Sequence, residues 1–100
     1  MKRFGIIGDV HAEDAFLEAT LDHLAHERVN RILCVGDIVD GRGDVDRCVE
    51  LLEQHQVAAV RGNHERWACN DQMRDLRDAT VLDALADTTR WFLEIGRAHV

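Results

Sequence analysis

The sequence contains no proline and no tyrosine, only three cysteines, and no apolar run longer than four residues. Without proline nothing enforces a kinked or rigid linker, and no repeat or low-complexity stretch divides the chain. Four apolar residues fall far short of the ~20 needed to span a bilayer, and the N-terminus lacks the hydrophobic segment of a secretory signal. Cys34, Cys48 and Cys69 are odd in number and match neither a disulfide framework nor a paired zinc knuckle. A soluble cytoplasmic protein with reduced thiols is therefore expected, with Cys34 and Cys48 as core residues on apolar faces. Positive charge is also scarce: 12 Lys and Arg face 19 Asp and Glu, for a formal net charge of -7. That balance excludes a broad nucleic-acid-binding surface, which depends on clustered cations neutralising phosphates. An anionic substrate would need local positive charge, and metal ions could supply it. One hundred residues suit one small domain with a modest core, and nothing in them specifies an oligomeric state.

What is present is a recurrence. Gly8-Asp9-Val10-His11, Gly36-Asp37 and Gly62-Asn63-His64-Glu65 each close an apolar run rich in strand formers, at residues 4–7, 32–35 and 57–60. His11 to Asp37 and Asp37 to Asn63 are each 26 positions, close to one strand, helix and return strand. Parallel strands joined in this way present their carboxyl ends along one edge, where open α/β sheets bind ligands. Two carboxylates, two imidazoles and an amide are expected to converge there.

The intervening segments fit this reading. Residues 13–27 place Leu17, Leu21, Leu24 and Ala25 on one helical face, and Asp44 can cap a helix carrying Val45, Cys48, Val49 and Leu52 inward. Residues 66–78 are polar, with Trp67, Met73 and Leu76 interspersed, and residues 81–92 read as a helix with Leu82, Leu85 and Ala86 inward. The pattern is an α/β chain of the order βαβαβ with a helical tail. Right-handed crossovers to successive neighbours would place both connecting helices on one sheet face. The strands, lacking polar alternation, read as covered on both faces, so one face is left without a cover.

Residues 95–100 back-translate to ATC GGA AGA GCA CAC GTC, the sequence of a widely used sequencing-adapter oligonucleotide. The expectation is a genuine domain over residues 1–94 followed by adapter read-through, with His99 excluded as a ligand.

The chemistry follows from the residue types. Asp9 and His11 are two apart and can grip one cation from one side of an extended stretch. Asp37 can bridge two ions through its two oxygens, and Asn63 offers a neutral carbonyl oxygen. Such mixed nitrogen and oxygen donors suit Mn, Fe or Zn. Two such divalent ions ~3.5–4 Å apart would clamp a phosphate and lower the pKa of a bridging water. His64, beside Asn63, could protonate the leaving oxygen.

In this order the three strings resemble the first three motifs of the calcineurin-like metallophosphoesterases, over residues 3–93. The string Gly36-Asp37-Ile38-Val39-Asp40-Gly41, followed by Asp44, is similar to the small bacterial and archaeal phosphodiesterases of that superfamily. The resemblance implies the N-terminal βαβαβ half of a two-sheet sandwich flanked by helices. It implies Asp9, His11, Asp37 and Asn63 as metal ligands, His64 as catalytic acid and Glu65 as a support of the turn. It implies a phosphoester substrate, mono- or diester, cleaved by a hydroxide that two metal ions activate. The family's later histidines, including a Gly-His-x-His string, have no counterpart here, so this chain alone is expected to be inactive. Arg42 could contact substrate phosphate, although Gly41 separates it from Val39-Asp40, unlike the serine/threonine phosphatases; a surface arginine is the other reading. Trp67 could wall the substrate cleft or pack against the tail helix. A protein-phosphatase-like member and a non-catalytic fragment or binding module are the alternative functions.

Overall fold

The computed structural model describes residues 2–70 and 78–95. Strands β1 (Phe4–Ile7), β2 (Arg31–Cys34) and β3 (Ala58–Ala59) form a parallel sheet in the order β1-β2-β3. Ile7 lies opposite Cys34, and Cys34 opposite Ala59, so the three carboxyl ends finish on one edge. The strand at 57–60 is shorter than its apolar run, but the Val60 amide still donates to the Cys34 carbonyl at 3.0 Å.

Helices α1 (Asp14–His26) and α2 (Val45–Gln54) make the two crossovers. The Asp44 side chain accepts from the Arg47 amide and caps α2, whose Val45, Cys48, Val49, Leu51 and Leu52 are buried. From α1, Leu17 and Leu21 enter the same core, while Ala25 at the predicted edge of that face remains exposed. Gly5 of β1 lies directly beneath Leu24, and the Arg47 guanidinium reaches Glu18 at 2.9 Å, joining α2 to α1. Both helices thus cover the sheet face formed by Gly5, Ile7, Ile32, Cys34 and Ala59, as successive right-handed crossovers require.

The opposite face is open among the described residues. Phe4, Ile6, Leu33, Val35 and Val60 all point outward, with Ile6 70% and Val60 59% exposed. The strands are apolar on both sides, yet only one side is covered here.

The second half departs further from the sequence expectation. The Gly-Asn-His-Glu string opens a helix, α3 (Asn63–Cys69). The helix predicted over 81–92 is instead a 3-10 turn, Leu82–Ala84, followed by α4 (Asp87–Ile95). Leu85 is extended at the break, and the next amide, of Ala86, donates to Asp46 of α2 at 3.1 Å. Past the break Thr89, Phe92 and Leu93 are buried, while before it Leu82 and Leu85 are half-buried and Ala86 is exposed. Helix α4 packs against α2 and α3. Met73, Leu76 and residues 96–100, His99 included, lie outside the described residues. No described helix is long and apolar enough to cross a membrane.

Candidate metal centre at the strand ends

The loop after β1 and the loop after β2 are bonded to each other. The amide of His11 donates to the Asp37 carbonyl at 2.9 Å, and that of Ala12 to the Ile38 carbonyl at 2.6 Å. Between them, one donor atom each from Asp9, His11 and Asp37 lies within 4.8 Å of the others. Atoms sharing one cation at ~2.0–2.2 Å stand within ~4.4 Å of one another, so small side-chain rotations close this set around an ion.

His11 is prepared for ligation by its other nitrogen. Nδ1 lies 2.9 Å from the Val39 carbonyl, which can only accept, so Nδ1 donates there and Nε2 is the nitrogen turned toward the donor cluster. Such a bond from the non-ligating nitrogen fixes the tautomer and ring orientation of metal-bound histidines. Nε2 faces Asp9 Oδ1 at 3.8 Å. The donor set of one neutral imidazole and two carboxylates fits Mn, Fe or Zn.

The backbone around these residues is unusual. Asp9, His11, Asp37 and Asp40 have φ values of 51°, 43°, 57° and 68°. Left-handed conformations are uncommon outside glycine and persist where surrounding bonds hold them. Glycines permit the crowding: Gly36 (φ 97°) abuts the Gly62 backbone, and a Cβ on Gly62 would collide with the Asp37 carboxylate.

Glu65 holds the second and third loops together. It is 1% exposed and accepts four backbone N–H bonds, from Asp37 at 2.5 Å, Ile38 at 2.7 Å, Val39 at 3.2 Å and Gly62 at 2.9 Å. The Gly62 bond reaches back from the third position of α3 to its cap, half of a capping box. The carboxylate of Asp37 in turn accepts from the His64 amide at 3.2 Å.

His64 stands beside the donor cluster. Its ring meets that of His11 edge-on, with centroids 4.6 Å apart, and that of Trp67 with centroids 4.9 Å apart. Nδ1 is 2.7 Å from Oδ2 of Asp40, whose side chain is 2% exposed. A carboxylate accepts, so the Nδ1 proton points at Asp40. Asp40 was not singled out from sequence, although it stands three residues after Asp37 in the same short string.

Two further candidates, Asn63 and Arg42, have partners of their own. Asn63 opens α3, exposed, with its amide oxygen 3.4 Å from the Arg66 guanidinium. Arg42 is exposed and pairs with Asp78 at 3.6 Å. The cysteines offer no nucleophile. Burial pushes the Cys34 thiol up and the Cys48 thiol up to about 12; burial also raises Cys69, against the opposing charge of Arg61. Thiols shifted in this direction are not thiolates at neutral pH.

The calcineurin-like phosphoesterase family model matches residues 2–97. Among curated proteins, an uncharacterized protein of Methanocaldococcus jannaschii is 33% identical over 60 residues, 60% of this chain and 25% of its own length. Serine/threonine-protein phosphatase 1 of Salmonella typhimurium is 28% identical over 95 residues, 94% of this chain and 42% of its own length. Serine/threonine-protein phosphatase 2 of Escherichia coli is 31% identical over 64 residues, 63% of this chain and 29% of its own length. The chain therefore spans less than half the length of each of these relatives. No solved structure matches it significantly.

Proposed function

Because this chain belongs to the calcineurin-like phosphoesterase family, we propose that Asp9, His11 and Asp37 hold a divalent cation in the service of phosphoester hydrolysis. The observation that carries this reading is the meeting of those three donors at adjacent strand ends, within 4.8 Å, beside the His64–Asp40 pair. In the fuller form of the reading, Asp37 bridges to a second cation that Asn63 helps to hold. When bound, Mn, Fe or Zn supplies Lewis-acid polarisation of the phosphate and acidifies the attacking water.

The chain's own residues account for the proton. As water attacks phosphorus in line it gives up a proton to solvent, and the bond from phosphorus to the leaving oxygen breaks. An imidazolium at His64 gives its Nε2 proton to that oxygen. Asp40, fixed at 2.7 Å from Nδ1, orients the ring and keeps Nε2 turned to its task. Glu65 touches no reacting atom in this scheme; by gathering four amides it keeps Asp37 and His64 in register. Arg42 would have to leave Asp78 to meet a phosphate.

Three donors from two loops hold one cation, whereas a pair of cations needs more. We accordingly assign turnover to a polypeptide nearer the relatives' length, with residues 1–94 as its metal-binding half and 95–100 as foreign sequence. The test is release of p-nitrophenol from p-nitrophenyl phosphate and bis(p-nitrophenyl) phosphate, with Mn²⁺, by this chain and by the complete reading frame. Metal-dependent hydrolysis that Asp37→Ala lowers at least ~100-fold supports the reading; full activity of that variant overturns it. A protein-phosphatase reading is favoured by the names of two relatives. Phosphopeptide hydrolysis outpacing that of bis(p-nitrophenyl) phosphate would select it.

A further inference from the structure

We propose that Thr80 is a positioning residue that sets the ring of His64 through Asp40. Asp40 and Thr80, 40 positions apart, close a two-bond ring: the Asp40 amide donates to Thr80 Oγ1 at 2.8 Å, and the Thr80 amide donates to Asp40 Oδ1 at 2.7 Å. The other carboxylate oxygen, Oδ2, faces His64 Nδ1 at 2.7 Å. Through Oδ1 this side chain meets the residue that fixes it, and through Oδ2 the residue it orients.

The backbone of Asp40 explains why a fixing residue is needed. Its φ of 68° lies in the left-handed region, which a non-glycine residue leaves unless local bonds hold it. The Thr80 hydroxyl receives the very amide whose rotation would release that conformation. Such a rotation would swing the Asp40 carboxylate away from His64. With the Asp40 side chain 2% exposed, water does not readily replace a lost partner, so the geometry depends on the bonds that remain. Residues 78–80, remote in sequence from all three strand ends, are by this route registered to the proton donor.

The importance of this contact for hydrolysis rests on His64 being the proton donor; the contact itself is measured without metal or substrate. In the ¹⁵N-labelled chain at one fixed pH, the His64 ring is followed by long-range ¹H–¹⁵N correlation. Asp40→Asn serves as the reference for a lost carboxylate. Thr80→Val keeps the shape and removes the hydroxyl, and is expected to move the Nδ1 and Nε2 signals at least halfway to the Asp40→Asn positions. Thr80→Ser restores the oxygen and is expected to return them to the wild-type positions. Wild-type signals in Thr80→Val, or displaced signals in Thr80→Ser, overturn the proposal. Should Thr80→Val fail to fold, amide exchange of Asp40 in the unaltered chain decides. Exchange slowed at least tenfold relative to an unfolded peptide supports the hydroxyl bond, and unprotected exchange overturns it. A phosphoesterase assay that fails leaves these ring signals unaffected, and the two failures are separable.

Discussion

The amide of Asp37 donates to Oε1 of Glu65 at 2.5 Å, so a carboxylate residue of the donor cluster and the last residue of the Gly-Asn-His-Glu string are joined through backbone. Glu65 takes three further amides and is buried. Removing it leaves four donors to find new partners in a site with little water. Each buried unsatisfied donor costs ~1–3 kcal/mol, and relaxation recovers part of the sum. Glu65→Ala is expected to lower the unfolding free energy by at least ~3 kcal/mol in urea titration. Glu65→Gln, which turns an N–H toward amides, should recover less than half of that loss.

The two faces of the sheet should respond differently to truncation. Leu21 of α1 is completely buried against the covered face, and Leu21→Ala is expected to cost ~2–5 kcal/mol. Ile6 lies on the open face at 70% exposure, so Ile6→Ala should cost less than ~1 kcal/mol. Chemical denaturation of both variants measures the difference. Similar losses would mean that the face read as open is covered in solution.

Alkaline pH should weaken the fold through Cys48. Burial raises its thiol from the ordinary value of 9.0 to about 12 in the folded chain. The unfolded chain therefore loses the proton first. Stability from this group is complete below pH 9 and falls as pH rises toward 12, by at most ~1.4 kcal/mol per pH unit. Thermal melts between pH 8 and 11.5 should show this decline, and Cys48→Ala should flatten it after correction for its lower starting stability.

Much of the architecture follows from local pattern. Strand formers ending in Gly-Asp or Gly-Asn at spacings of 28 and 26 residues locate three strand ends, and parallel pairing brings Asp9, His11 and Asp37 together there. The break before α4 could not be read that way, because Leu82, Leu85 and Ala86 continue, seven residues earlier, the same helical stripe as Thr89, Phe92 and Leu93. At that break the Ala86 amide donates to Asp46 of α2, a partner 40 positions away. The left-handed backbones of His11, Asp37 and Asp40 are likewise tied by bonds to other loops. Thr80 gave no local signal, since its partner stands 40 positions earlier. Asp40 was visible as the second carboxylate of its string, but only the position of His64 gives it a role.

The most direct test of the metal centre is calorimetric titration of the metal-free chain with Mn²⁺, repeated on Asp37→Ala and on Asp22→Ala, an exposed carboxylate of α1. Saturable binding by the chain and by Asp22→Ala, with affinity lowered at least ~10-fold in Asp37→Ala, is the predicted result. Equal affinity in the chain and in Asp37→Ala would contradict a metal centre built on Asp9, His11 and Asp37.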